Sequence, residues 1–252
     1  MLLSVLAGML AGCQGLTAEH RRWLAEGERA YQQRQYEQAI GQLSQFIPAA
    51  SGRPEAARAL YVRGMAYARS NQRIQARSDL SRCLEQTQDA DLRWRAYAVL
   101  GTLDYEDGQW SAAARAYSSA AQIAPPAPPT DTILFRLGVC QERCRRWAAA
   151  REPYERLMRD FPTSAWADAA RRRLAIKADH FAVQCGVFAA QENAERLAAD
   201  LKRQGLSPYI QREQRGQSRV YVVLVGRYDG YEEALSALAE IKGYVADAVL
   251  WP

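Results

Sequence analysis

Four glycines recur along this chain at a constant interval of 37 residues. They are Gly27, Gly64, Gly101 and Gly138, and each is followed twelve residues later by an alanine: Ala39, Ala76, Ala113 and Ala150. Small side chains let two antiparallel helices approach closely. A fixed period of this length is typical of one supersecondary unit that is repeated and stacked. The spacing therefore predicts four helix hairpins in succession.

Large residues occupy matching positions around the small ones. Trp23, Leu60, Tyr97 and Leu134 each lie four residues before a glycine, and Tyr36, Trp110 and Trp147 each lie three residues before an alanine. Arg73 departs from the pattern at the last of these positions in the second repeat. Because one hairpin cannot cover its own apolar face, we expect these side chains to fill the gaps between stacked hairpins.

This pattern resembles the tetratricopeptide repeat. The fourth copy matches it best, through Leu134-x-x-Leu137-Gly138, Trp147, Ala150, Tyr154 and Pro162. The period exceeds the usual 34 residues of that family by three, which predicts longer loops between hairpins. One such loop is expected at Pro125, Pro126, Pro128 and Pro129, since proline cannot continue a helix; a proline-rich ligand site is the alternative.

The repeat region is expected to end in a capping helix. Phe161-Pro162-Thr163-Ser164, followed by residues 165–178, resembles the turn and last helix of repeats in periplasmic outer-membrane assembly lipoproteins and cell-division coordinators. Ser164 is the expected N-cap. We expect the run Arg171-Arg172-Arg173 on this helix to face solvent, as such charge runs usually do.

Repeats of the tetratricopeptide kind bind peptides or partner helices in a concave groove. The candidate partner-binding residues on the inner helices are Tyr31, Tyr61, Tyr105 and Phe135, because aromatic side chains are enriched at interfaces. The alternative is that these aromatic side chains pack between hairpins.

The pattern changes at Asp179. Residues 181–188 alternate in polarity as a half-buried strand does, and the remaining segments continue the order β-α-β-β-α-β. Phe181, Gly186, Phe188 and Ala194 recur forty residues later as Tyr221, Gly226, Tyr228 and Ala234. Duplicated units in this order predict an α+β split β-α-β fold, with two helices on one sheet face and the other face open.

Residues 179–252 resemble the SPOR domain, a peptidoglycan-binding module of bacterial division and envelope proteins. The resemblance rests on Val183-Gln184-Cys185-Gly186-x-Phe188, Glu192-Asn193-Ala194, Leu201, Val223-x-Val225-Gly226-x-Tyr228 and Glu232-Glu233-Ala234. It implies that the open sheet face binds septal glycan strands stripped of their stem peptides.

Alternation along the strands predicts which residues reach the open face. Phe181, Val183 and Cys185 should face the helices, and Ala182, Gln184 and Gly186 should face outward. The resemblance makes Gln184 the glycan-contacting glutamine, whose amide both donates and accepts; a structural hydrogen bond is the alternative role. The other candidate glycan-binding residues are Val187, Val220, Val222, Leu224 and Val249. Their apolar character also suits a protein-binding patch.

The first residues of the chain are read as a targeting signal. Residues 1–12 carry no charge and are mostly apolar, as in a secretory signal. Leu10-Ala11-Gly12-Cys13 resembles the lipobox of bacterial lipoproteins, which implies acylation of Cys13 and anchoring in a membrane. Gln14 favours the outer membrane on its periplasmic side. The alternatives are an ordinary secretory signal, or a buried first helix with a chance cysteine.

Composition argues against several classes of function. The chain has only two histidines, so a multi-histidine metal site or a histidine relay is not expected. The basic residues that give the chain its net charge of +5 are mixed with acidic residues. They do not form the concentrated basic stripe that is typical of a nucleic-acid-binding protein. The cysteines after Cys13 (Cys83, Cys140, Cys144 and Cys185) suit small buried side chains better than disulfides or metal ligands. No catalytic motif, cofactor site or metal site is expected.

Together these features predict a signal peptide at residues 1–12, a repeat domain at 13–178 and a SPOR domain at 179–252. We expect an envelope lipoprotein without enzymatic activity, facing the periplasm. It would bind peptidoglycan glycan strands and an unknown envelope protein, contact the membrane only through its lipid anchor, and bind no nucleic acid. The alternative is a protein-only scaffold in outer-membrane assembly or secretion. A lytic enzyme, whose acidic pair would meet only in space, is a third class.

Overall fold

The structure is a computed structural model that describes residues 15–216 and 218–252. The expected signal peptide and Cys13 lie outside the described residues. Two compact units make up the chain, one ending at Leu103 and the other comprising Asp104–Pro252. None of the helices in the described residues is both long and apolar enough to cross a membrane.

Within the residues that the structure describes, eight helices form the four predicted hairpins, and a ninth follows them. They are α1 (Ala18–Gln32), α2 (Tyr36–Ala49), α3 (Pro54–Arg69), α4 (Arg73–Gln86), α5 (Ala90–Glu106), α6 (Trp110–Ile123), α7 (Thr130–Arg143), α8 (Trp147–Asp160) and α9 (Ala167–Ile176). The four prolines of residues 125–129 lie in the connection between α6 and α7, as predicted. The repeat prediction is therefore confirmed.

The glycines explain how closely the paired helices approach. A Cβ atom placed on Gly27 would lie 2.6 Å from Cγ of Leu43, and one on Gly64 would lie 3.0 Å from Cγ of Leu80. Leu43 and Leu80 are completely buried. A Cβ on Gly27 would force Leu43 to shift, and one on Gly64 would press Leu80 by a few tenths of an ångström, so the bare helix backbone of glycine fits these positions best.

The turns of the hairpins repeat the same backbone conformation. Arg34, Asn71, Gly108 and Arg145, again 37 residues apart, all have positive φ angles between 60° and 70°. This left-handed conformation reverses the chain between the two helices of each hairpin. Glycine adopts it without strain and asparagine with little, so the repeat tolerates an arginine there at some energetic cost.

The capping helix departs from its prediction in two respects. The helix begins at Ala167, and its N-cap is Trp166 and not the predicted Ser164. The Ser164 hydroxyl accepts a hydrogen bond from Trp166 N (3.1 Å), so it serves the turn before the helix. Arg171 and Arg172 are exposed, as expected of the arginine run, but Arg173 is only partly exposed. It forms a salt bridge with the buried carboxylate of Glu142 on α7. A buried carboxylate requires a cationic partner, so the third arginine of the run is structural.

The C-terminal region has the predicted order of strands and helices. It comprises β1 (Phe181–Phe188), α10 (Gln191–Arg203), β2 (Pro208–Arg215), β3 (Ser218–Tyr228), α11 (Tyr231–Ile241) and β4 (Val249–Trp251). The antiparallel sheet has the strand order β2-β3-β1-β4. Helices α10 and α11 cover one sheet face through a core that includes Val183, Val223, Ala194, Leu201 and Ile241. The predicted fold class is confirmed.

Side chains of α6, α7 and α8 contact the sheet domain within the second compact unit. The Arg143 guanidinium lies between two rings, 4.0 Å from the ring centre of Trp110 and 3.9 Å from that of Tyr231. Trp147 contacts Phe181, with ring centres 4.9 Å apart. These contacts fasten the start of β1 and the start of α11 to the last two hairpins.

Substitution of the first repeated glycine is expected to destabilise the protein. Gly27→Ala introduces a Cβ against completely buried Leu43, and such overpacking costs about 1–3 kcal/mol. Gly41→Ala, on the partner helix α2, is the matched control because its Cβ would meet nothing within 4 Å. It should stabilise the protein by up to about 1 kcal/mol through helix propensity. Urea unfolding measures both changes, and an equal effect of the two variants would contradict the close-approach argument.

Replacing the stacked arginine should weaken the second compact unit. Arg143→Ala removes two cation–π contacts, each worth roughly 0.5–2 kcal/mol, so we expect a loss of about 1–3 kcal/mol in the free energy of unfolding. Arg145→Ala is the control, since its 3.0 Å salt bridge to Asp229 is largely exposed and such pairs contribute about 0–1 kcal/mol. Thermal unfolding compares them. A larger loss for Arg145→Ala would contradict the assignment.

Candidate functional site

Strand register places most of the predicted glycan-binding residues on one sheet face. Gln184 lies opposite Leu224 on β3 and opposite Val249 on β4, and Val187 lies opposite Val222. Val187, Val220, Val222 and Leu224 cluster together on the face that α10 and α11 leave uncovered. The predicted orientation of β3 is therefore correct. We call this surface the outer face.

A β-bulge in β1 corrects the predicted orientation of Gly186. The register shifts between Gln184 and Gly186, so strict alternation fails at this point. A Cβ on Gly186 would lie 3.0 Å from Cδ2 of Leu197 on α10, which shows that Gly186 faces the helices and not outward. The same shift directs Val187 to the outer face.

The outer face is not open along its whole length, in contrast to the expectation. Val222 and Leu224 are completely buried, so in this conformation neither presents surface to a ligand. Ile176 and Ala178, from the end of α9 and the connection that follows it, pack against this cluster together with Trp251. The apolar strip on β3 was therefore predicted correctly. The prediction did not include its burial by Ile176, Ala178 and Trp251.

Trp251 is held across the covered half of the outer face by polar contacts. Its indole N–H donates to Oε1 of Glu213 (2.9 Å), and its ring lies 5.5 Å from the ring of His180. His180 is itself buried, with Nε2 2.8 Å from the hydroxyl of Tyr209 and Nδ1 2.5 Å from Asp179. This cluster joins β2 and β4 to the connection before β1.

The accessible half of the outer face centres on the Gln184 amide. Its Oε1 accepts a hydrogen bond from the Arg215 guanidinium (3.2 Å), and both side chains are partly exposed. Arg215 also forms a salt bridge with Glu213 (3.1 Å), whose carboxylate is nearly buried. Val187 and Val220 are partly exposed beside this pair, and Val249 is 47% exposed. We call Gln184, Arg215, Val187, Val220 and Val249 the accessible strip.

Sequence reasoning missed Arg215 and Glu213. β2 continues to Arg215, which pairs with Ser218 at the end of the hairpin. Extending the alternation of Tyr209 and Gln211 by four residues would have placed both side chains on the outer face.

The four candidate partner-binding aromatic residues divide into two pairs. Tyr31 and Tyr61 line a groove with a cavity volume of about 740 Å³ on the inner helices α1, α3 and α5. Tyr105 instead packs edge-on against Trp110, with ring centres 5.3 Å apart. Phe135 stacks on Trp166 at 4.5 Å. The last two follow the alternative that was left open, in which the aromatic rings pack between helices.

The described cysteines behave as buried apolar side chains. All four are free; Cys83, Cys140 and Cys185 are buried and Cys144 is partly buried. Burial raises the pKa of Cys83 and of Cys185 to about 11 and that of Cys140 to about 12. A thiol with so high a pKa is a poor nucleophile and metal ligand at neutral pH.

Comparison with known protein families agrees with this architecture. A tetratricopeptide-repeat model matches residues 24–76 and 99–165, and a SPOR-domain model matches residues 177–251. The chain thus contains tetratricopeptide repeats followed by a C-terminal SPOR domain. Both are non-catalytic binding domains, one for protein segments and the other for peptidoglycan, and their combination in one chain is that of a binding scaffold.

Solved structures share the fold of the repeats. MamA from Desulfovibrio magneticus RS-1, from residue 41 to its end, is 14% identical with a TM-score of 0.53, over 75% of this chain and 94% of that one. MamA AMB-1 is 20% identical with a TM-score of 0.52, over 63% of this chain and 80% of that one. At such identities the likeness concerns the fold alone. A comparison with curated proteins returned no significant match.

Proposed function

We propose that the protein is a lipid-anchored envelope scaffold that holds peptidoglycan through its SPOR domain and a protein partner through its repeats. It would act in the periplasm, in cell division or envelope maintenance. The observation that carries the proposal is the partly exposed Gln184 amide, bonded to Arg215 on the accessible strip of a SPOR outer face.

The accessible strip suits a neutral polyhydroxylated ligand. The bond from Arg215 engages the carbonyl end of Gln184, which leaves the amide NH₂ group to donate to a sugar hydroxyl or acetamido oxygen. The charge of Arg215 is balanced by Glu213, so the strip offers hydrogen bonds without a net charge. Val187, Val220 and Val249 beside it can cover the apolar face of a sugar ring.

The lipid anchor and the SPOR domain would reinforce each other in the envelope. A lipid chain on Cys13 and a glycan contact on the SPOR domain would confine the protein between membrane and wall. Each contact raises the effective concentration of the other, so weak individual affinities suffice. Glycan strands without stem peptides, which arise where the wall is being remodelled, would then set where the protein accumulates.

Binding to sacculi tests the glycan contact. The full chain would be mixed with intact sacculi and with sacculi whose stem peptides an amidase has removed. We expect stronger retention on the denuded glycan. Gln184→Ala should weaken that retention about five- to tenfold, since it removes hydrogen bonds worth roughly 1 kcal/mol each.

Gln204→Ala is the matched control, because Gln204 is an exposed glutamine at the C-terminal end of α10, away from the accessible strip. It should bind as the unsubstituted chain does. Equal retention of Gln184→Ala and the unsubstituted chain would exclude Gln184 from the contact. Absence of retention on both kinds of sacculi would refute glycan binding.

A protein-only scaffold is the second candidate function. The cover over Val222 and Leu224 removes two of the six proposed glycan-binding residues from the surface, and the exposed residues around them are largely apolar. An apolar rim of this kind suits a protein partner. Failure of the sacculus experiment would favour this function, in outer-membrane assembly or secretion.

Membrane anchoring through Cys13 has its own test. The full chain, produced in a bacterium supplied with an alkyne-tagged fatty acid, should carry the tag and sediment with membranes. Cys13→Ser should lose the tag and enter the soluble fraction, because acyl chains supply most of the membrane affinity. Cys144→Ser, which changes a partly buried cysteine of the repeats, should behave as the unsubstituted chain. A soluble, untagged unsubstituted chain would refute lipidation.

A further inference from the structure

The groove on the inner helices of the first three hairpins has an apolar floor. Its walls are α1, α3 and α5, and its volume is about 740 Å³. All of its lining residues belong to the first compact unit. Tyr31, Tyr61 and Met65 form the floor, and the Tyr31 hydroxyl donates to Sδ of Met65 (3.6 Å). Two aromatic rings beside a flexible thioether give a surface that adapts to varied apolar side chains.

Acidic groups dominate the lining of this groove. Glu28, Glu55, Asp89 and Asp91 face two arginines, Arg58 and Arg95, which gives the lining a net charge of −2. The whole chain, by contrast, has a net charge of +5. The groove is therefore a local negative patch on a basic protein. We call it the acidic groove.

Both arginines of the acidic groove are already neutralised. Arg58 pairs with Glu28 (2.6 Å) and Arg95 pairs with Asp91 (2.9 Å). Neither arginine forms a salt bridge with Glu55 or Asp89, and these two carboxylates are exposed. The excess negative charge of the groove therefore resides on Glu55 at the start of α3 and Asp89 just before α5.

We propose that the acidic groove binds a basic peptide segment of a partner protein, in which apolar side chains contact Tyr31, Tyr61 and Met65 while a lysine or arginine reaches Glu55 and Asp89. The inference rests on the proposed protein-binding role of the repeats and adds the charge of the partner. Complementary charge selects the partner and speeds its association, and the apolar floor supplies affinity.

The hydroxyl of Tyr61 remains a hydrogen-bond donor within this groove. Burial raises the pKa of Tyr61 to about 12, so the phenol is protonated across the physiological range. It can therefore bond a backbone carbonyl of the bound segment without adding to the negative charge. The charge preference of the groove then depends on its carboxylates alone.

Selection from a phage-displayed library of random twelve-residue peptides tests the proposal on the full chain. We expect the recovered peptides to carry a net positive charge together with apolar residues. A recovered peptide, made synthetically, should bind the double variant Glu55→Gln, Asp89→Asn at least tenfold more weakly than the unsubstituted chain, and raising the salt concentration should reduce this difference. Asparagine at position 89 can still accept the hydrogen bond from Asp91 N (2.9 Å), so the start of α5 is preserved.

The matched control is Glu85→Gln, Glu192→Gln, which removes the same charge from exposed positions outside the groove. It should bind the peptide as the unsubstituted chain does. The selection could instead recover neutral or acidic peptides that the Tyr61→Ala variant no longer binds. That result would overturn the charge preference but would leave the protein-binding role of the repeats intact. Recovery of no peptide, or equal binding by the groove variant and the control, would overturn the proposal. The sacculus experiment reports separately on the SPOR domain.

Discussion

The repeat region depends on one steric constraint, the contact of a bare helix backbone with a large side chain of the next helix. At Gly27 and Gly64 the partner is a completely buried leucine, and at Gly138 it is the buried ring of Tyr154. A side chain at these glycines would force the facing side chain or its helix to shift. The left-handed residue in each turn keeps the same 37-residue interval, so the turn and the contact repeat as one unit. Stacking of these units then creates the groove on the inner helices.

Because this constraint acts on residue type, it is visible in the sequence. The constraint applies at Gly27, Gly64 and Gly138, and the 37-residue period of the glycines predicts every helix pair. The succession of strands and helices along the SPOR domain could be predicted equally well, since alternating polarity records which side of a strand is buried. The expected positions of the cysteines, prolines and outward-facing valines follow from the same kind of local signal.

The features that escaped prediction arise from contacts distant in sequence or from single-residue irregularities. The bulge that turns Gly186 toward α10 adds one residue to a strand, which alternation alone does not reveal. The cover over Leu224 comes from Ile176 and Ala178, which belong to a different element. The salt bridge of Arg173 depends on the buried carboxylate of Glu142, 31 residues earlier. Tyr105 and Phe135 were read as groove residues, although their rings serve the packing between helices.

Charge separates the two proposed binding surfaces more clearly than shape does. On the accessible strip the guanidinium of Arg215 is balanced by Glu213, so hydrogen bonding to uncharged sugar groups is what the strip offers. In the acidic groove two carboxylates remain after both arginines are paired. A basic peptide would gain Coulomb attraction in the acidic groove, whereas an uncharged glycan strand would gain only hydrogen bonds there. The balanced strip offers a basic peptide no such attraction. The two proposed ligands would therefore prefer different surfaces of the chain, so binding of one would not require release of the other.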